Sequence, residues 1–165
     1  MPPRRSGPSQ LKRQLAFFYL CGLAALTAIC VARNDLLFNA PGWPGLYPLL
    51  LLATYPAIYL VPAITVSTLA ATVAGMRRGI VAGISIAALS AAAILLYSDL
   101  ALYALYNFHL NAFVWNVITT PGGLASLGFD QLSVGSLAGV LVLVVALSGL
   151  CWYLAGIAAR YGTVN

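Results

Sequence analysis

Apolar residues run along this chain in four long blocks rather than in alternation with polar ones. The blocks cover Gln14 to Ala32, Leu46 to about Gly75, Gly79 to about Ser98 and about Ser133 to Ala159, and Leu, Ala, Val and Ile dominate each. A helix needs about twenty consecutive apolar residues to cross a bilayer, whereas a membrane barrel shows alternation over segments of about ten. The pattern therefore predicts an all-α fold: a polytopic transmembrane helix bundle filling residues 14–160, with about four spans plus an interfacial or re-entrant helix. Residues 1–13, rich in Pro, Ser and Arg, read as a disordered basic arm. Residues 161–165 form a short tail. Pro41, Gly42, Pro44 and Gly45 supply turn chemistry after the first span, and Met76-Arg77-Arg78 makes a tight basic turn after the second.

Details within the blocks sharpen the reading. The first apolar run is about eighteen residues, longer than the core of a signal peptide, and it lacks a convincing small-x-small cleavage pattern, so it reads as an uncleaved span. The second block is long enough to require tilt or protrusion, and Pro56 and Pro62 remove backbone donors inside it, which predicts kinks. Tyr55 and Tyr59 lie four apart on one face. The third block opens with Gly79 and Gly83 and continues through Ala82, Ser85, Ala88 and Ala92. That is either a small-residue surface for close helix packing or an ordinary membrane composition. Gly135 and Gly139 repeat the small-residue spacing in the fourth.

Composition agrees with lipid as the solvent: 62% of residues are hydrophobic and only 7% charged, against about 25% charged in soluble domains. The formal net charge of +5 is unevenly placed. With the N-terminus inside, four spans return the C-terminus inside. Arg4, Arg5, Lys12, Arg13, Arg77, Arg78 and Arg160 then fall on the cytoplasmic side, and Arg33, Asp35, Asp99 and Asp130 outside. The positive-inside rule selects this orientation, which fits a multi-pass protein of the bacterial inner (plasma) membrane with both termini cytoplasmic. Nucleic acid is not an expected partner, because the basic residues are few and separated by apolar spans. Cys21, Cys30 and Cys151 match no metal or redox spacing and read as small buried hydrophobes.

Residues 99–130, the extracytoplasmic segment in this topology, are richest in chemistry. If residues 99–116 are helical, Asp99, Tyr103, Tyr106 and Asn107 share a face, while Leu102, Leu105, Phe108 and Phe113 can meet lipid or neighbouring helices. Thr119, Thr120, Pro121, Gly122 and Gly123 would end that helix. Asp99 can pair with His109 only through a bend or favourable stacking across ten residues. Asp99, Tyr103, Tyr106, Phe108, His109, Asn111 and Asn116 are the candidates for orienting a lipid headgroup or docking another domain. The plainer alternative makes Asp99 a helix cap and the aromatics an interfacial belt. A lone His without other ligands argues against a metal site. No span carries an ionisable group near its centre, which argues against an ion-coupled transporter. No cofactor motif, nucleophile elbow or paired carboxylate site is present, so no cofactor and no catalytic residue are expected.

The stretch from Tyr106 to Asn116, containing Phe108-His109-Leu110-Asn111-Ala112-Phe113, and the following Thr119 to Gly128 resemble the N-terminal membrane region of bacterial sulfatase-like inner-membrane proteins. These belong to the alkaline phosphatase superfamily and include the lipoteichoic-acid-synthase-like enzymes and the PbgA/YejM type, which serves envelope lipid homeostasis. The organisation matches from the first span to about Ser133, and the specific part covers about thirty residues. The resemblance implies a bundle that anchors an extracytoplasmic domain and contacts lipids. Such proteins usually have five spans; four are read here, and no residues correspond to the catalytic domain. The expectation is a membrane anchor and lipid-contact domain without enzyme activity, from a truncated gene product, a split-gene half or a fragment. Its expected partners are membrane lipids, together with a separate sulfatase-like domain or another membrane protein. The alternative is a small membrane scaffold or assembly subunit.

Overall fold

A computed structural model describes residues 8–33, 46–75, 77–107, 109–123 and 134–161. Every described element is helical: α1 (Pro8–Ala32), α2 (Leu46–Val73), α3 (Arg78–Tyr106), α4 (Ala112–Thr119) and α5 (Val134–Tyr161). Helices α1, α2, α3 and α5 are each long and apolar enough to cross a membrane, which makes this a multi-pass membrane protein. Large apolar side chains such as Leu49, Ile58, Leu69, Val142, Leu143 and Leu150 stand exposed on the outer faces. In water they would be a liability; in lipid they meet a solvent as apolar as themselves.

Helix α2 packs chiefly on α3, and α1 on α5, with further contacts from α1 to α2 and from α3 to α5. The centre is built around fully buried Phe18, with Tyr19 and Trp152 edge-on to it at ring-centroid distances of 5.1 and 5.3 Å. Leu26, Leu60, Leu89 and Leu96 extend that core along the bundle. Packing in lipid depends on close fit and interhelical hydrogen bonds rather than on escape from water, and both are present. A side-chain carbon at Gly22 would lie 2.9 Å from Leu89 Cδ1, so glycine there lets α1 settle against α3. Gln14 Nε2 donates to the Trp152 carbonyl across 3.0 Å. Tyr19 donates its hydroxyl proton to the Ala63 carbonyl at 2.8 Å and also meets the Ser67 hydroxyl. Ser90 donates to Ser148 at 3.1 Å.

Several boundaries differ from those read off the sequence. Helix α1 starts at Pro8, taking in residues assigned to a disordered arm. Proline suits a first turn, whose N–H groups have no intrahelical acceptor, and Leu11 and Gln14 are buried against the bundle. Helix α2 is one helix that contains both Pro56 and Pro62, the positions where kinks are expected. The small-residue surface of α3 splits: Ser85 and Ala92 are buried, whereas Gly79 and Gly83 face outward with no side-chain neighbour within 4 Å of an added Cβ. Gly135 belongs to α5, but its surroundings, like residues 1–7, 124–133 and 162–165, lie outside what is described.

The largest difference concerns residues 99–116, which do not form one helix. Helix α3 continues to Tyr106 and stops where Asn107 turns left-handed (φ 57°), its N–H bonded to the Tyr103 carbonyl at 2.9 Å. Asparagine tolerates this conformation better than other non-glycine residues. A separate eight-residue helix, α4, then follows. The step from Arg78 to Asp99 rises about 32 Å, close to the roughly 30 Å hydrocarbon thickness. Arg78 and Asp99 thus stand about one hydrocarbon thickness apart, with the last two turns of α3 following Asp99.

Candidate functional site

Asp99 is buried, its side chain only 2% exposed. A carboxylate at that depth needs partners to offset its lost hydration, and it draws them from three places along the chain. Tyr55 of α2 donates its hydroxyl to Oδ2. The backbone N–H of Leu110 donates to Oδ1. His109 places Nδ1 3.1 Å from Oδ2 and 3.0 Å from the Tyr55 hydroxyl oxygen. The left-handed turn at Asn107 makes this possible by folding residues 109 and 110 back against the end of α3.

Tyr55 has one hydroxyl proton, and Asp99 receives it. The two oxygens facing His109 Nδ1 are then both acceptors, an arrangement that suits the tautomer with its proton on Nδ1. The imidazole stacks on Tyr103 at 4.5 Å with 19° between the planes, and its side chain is 55% exposed. The result is a buried carboxylate that fixes an exposed imidazole in place, with Nε2 the ring nitrogen that bonds no described residue. As a neutral ring it would accept there; as imidazolium it would donate.

The cluster adjoins an apolar groove. Tyr59 stacks edge-on against Tyr55 at 5.8 Å, and Tyr59 also lines a furrow of about 610 Å³ between α2 and α3. Ile58, Pro62, Ala88, Ala92 and Leu95 form much of its wall. Leu95 sits one helical turn before Asp99. A polar cluster thus stands one helical turn from an apolar furrow between α2 and α3.

Of the residues expected from sequence, Asp99, Tyr103 and His109 come together here. Asn111 instead serves its own helix, where its Oδ1 accepts the Val114 N–H at 3.1 Å and caps α4. Asn116 is exposed on α4, where its carbonyl accepts the Thr119 and Thr120 hydroxyls at 3.1 and 2.7 Å. Tyr106 ends α3, but its side chain, like the whole of Phe108, lies outside the described residues. The interfacial-belt alternative also has counterparts, since Phe113 and Trp115 are exposed on α4. Arg33, the basic residue assigned to this end, lies 5.7 Å from the centroid of the Tyr97 ring in a cation–π contact. Tyr55 is absent from the candidates that the sequence suggests. Its four-residue spacing from Tyr59 signals a shared face, but only the pairing of α2 with α3 reveals what that face meets.

Among known families, residues 17–161 match the one described as "Domain of unknown function (DUF3413)". No curated protein and no solved structure matches the chain.

Proposed function

The chain belongs to that family, and from this premise we propose that it is a membrane anchor and lipid-contact domain of the kind carried by sulfatase-like envelope proteins. A domain of this description forms the N-terminal region in such proteins, which supports the link drawn from Tyr106 to Gly128. The observation that carries the lipid reading is the exposed His109 imidazole, fixed by Asp99 and Tyr55, each one helical turn from a residue that lines the α2–α3 furrow. A lipid has the matching shape: a polar headgroup at the boundary and a hydrocarbon chain below. In this reading His109 meets a headgroup oxygen and the furrow takes part of a chain. The domain itself performs no catalysis. Charge placement supports cytoplasmic termini in the bacterial inner membrane, with the Asp99 cluster on the outer face.

Lipid extraction from the purified protein tests this. His109→Phe keeps a flat ring for Tyr103 to stack on but removes both nitrogens. Loss of the lipid retained by the parent protein, with the fold intact, is the expected result. An unchanged lipid complement would sink the headgroup assignment. A second reading rests on Gly79 and Gly83, whose outward faces have open space in which another helix could approach closely. A scaffold or assembly subunit would use that face, and crosslinking from it to one stoichiometric protein partner would favour this reading.

A further inference from the structure

A second furrow lies at the opposite, basic end of the bundle, between α1 and α2. Leu15, Ala16 and Tyr19 form one wall and Ile64, Thr68 and Ala71 the other, enclosing about 410 Å³, with Lys12 at its end. The walls offer an occupant almost no hydrogen bonds. Thr68 and Thr72 turn their hydroxyls back to the Thr65 and Leu69 carbonyls at 2.9 and 2.7 Å. The Tyr19 hydroxyl is engaged with Ala63 and Ser67. Such a surface suits hydrocarbon.

Its end does not. Lys12 is exposed, Arg13 follows it, and Arg77 and Arg78 begin α3 at the same end of the bundle. Among the described residues the one acid is Asp99, at the other end, so no described carboxylate neutralises Lys12. From Lys12 to Tyr19 helix α1 rises about 10 Å, roughly two-thirds of one leaflet's hydrocarbon depth of about 15 Å. With Lys12 at headgroup level, the furrow would run inward along one leaflet with a cation at its mouth.

We propose that this furrow holds an acyl chain of an anionic phospholipid whose phosphate pairs with the Lys12 ammonium. Charge selects the lipid class, and the apolar walls hold the chain. This site is independent of the Asp99 cluster, so either can fail without the other. A juxtamembrane basic residue contributes about 1 kcal/mol of attraction to an anionic surface, which converts to about a fivefold preference.

Native mass spectrometry of the full chain, offered phosphatidylglycerol or phosphatidylcholine with identical acyl chains, tests the proposal. The parent protein should retain phosphatidylglycerol about fivefold better. Lys12→Gln should erase that preference and Lys12→Arg restore it. Ala16 is exposed on the furrow wall, so Ala16→Leu should fill the space without disturbing the core. Ala16→Leu should lower phosphatidylglycerol occupancy while leaving the lipid retained through His109 untouched. A preference that survives Lys12→Gln overturns the phosphate assignment, and occupancy unchanged by Ala16→Leu overturns the furrow.

Discussion

Removing a single oxygen tests how Asp99 is held. Tyr55→Phe deletes the hydroxyl that donates to the Asp99 carboxylate and leaves the ring stacked on Tyr59. Hydrogen bonds to charged groups contribute about 1.5–3 kcal/mol in soluble proteins. Interhelical bonds in membrane proteins average about 0.6 and reach about 1.7 kcal/mol. With the Asp99 side chain only 2% exposed, water cannot take over the lost bond, so a cost near the top of the membrane range, about 1.5 kcal/mol, is expected. Asp99→Asn should cost more, about 3 kcal/mol, because Tyr55 and His109 both lose a charged acceptor while Leu110 keeps a carbonyl oxygen. If the two residues act through one bond, the double variant should fall short of the sum by about 1 kcal/mol. Reversible unfolding in mixed micelles of rising dodecyl sulfate fraction, followed by tryptophan fluorescence and circular dichroism, gives all four corners of the cycle. Coupling below about 0.5 kcal/mol is ordinary additivity and would refute the bond.

Phe18→Ala should lower stability by about 3 kcal/mol, because Tyr19 and Trp152 would face a void; the same micelle titration reads it, and a loss below about 1 kcal/mol would contradict the packing. Asn111→Ala should weaken the start of α4 by about 1 kcal/mol, seen as about fivefold faster amide exchange at Val114. Asn111→Ser, which can still cap, should exchange near the parent rate, and equal rates in all three proteins would show the cap to be idle. A green fluorescent protein fused after Asn165 should fluoresce, since it matures on the cytoplasmic side; a dark fusion, with export-dependent alkaline phosphatase active in the same place, would reverse the topology.

The four spans were legible because a bilayer demands long apolar runs and the chain supplies them in blocks. Their ends were less so. Lys12 and Arg13 looked like part of a disordered arm, yet buried Leu11 and Gln14 hold that turn of α1 in the bundle. The third span was read as closing before Asp99 because charge is costly in hydrocarbon, whereas the helix itself continues past Asp99 to Tyr106. The Asp99–His109 pair was legible as one that required a bend, and Asn107 provides that bend. Tyr55 was not, because it lies 44 residues from Asp99, and no local pattern encodes which turns of α2 and α3 stand level. Asn111 looked like a polar contact for an outside group; its oxygen instead serves the start of α4.

The order in which Asp99 acquires its partners follows from their order in the chain. As the polypeptide leaves the ribosome, Tyr55 emerges 44 residues before Asp99, whereas His109 and Leu110 emerge 10 and 11 residues after it. When α3 enters the membrane, the carboxylate thus has one partner waiting on the preceding helix and two not yet delivered. Its hydrogen bonds are complete only when the segment after Asn107 folds back. His109 arrives with this late segment and is also the cluster's most exposed member, so one of the last contacts made during biogenesis is the first that an arriving molecule would touch.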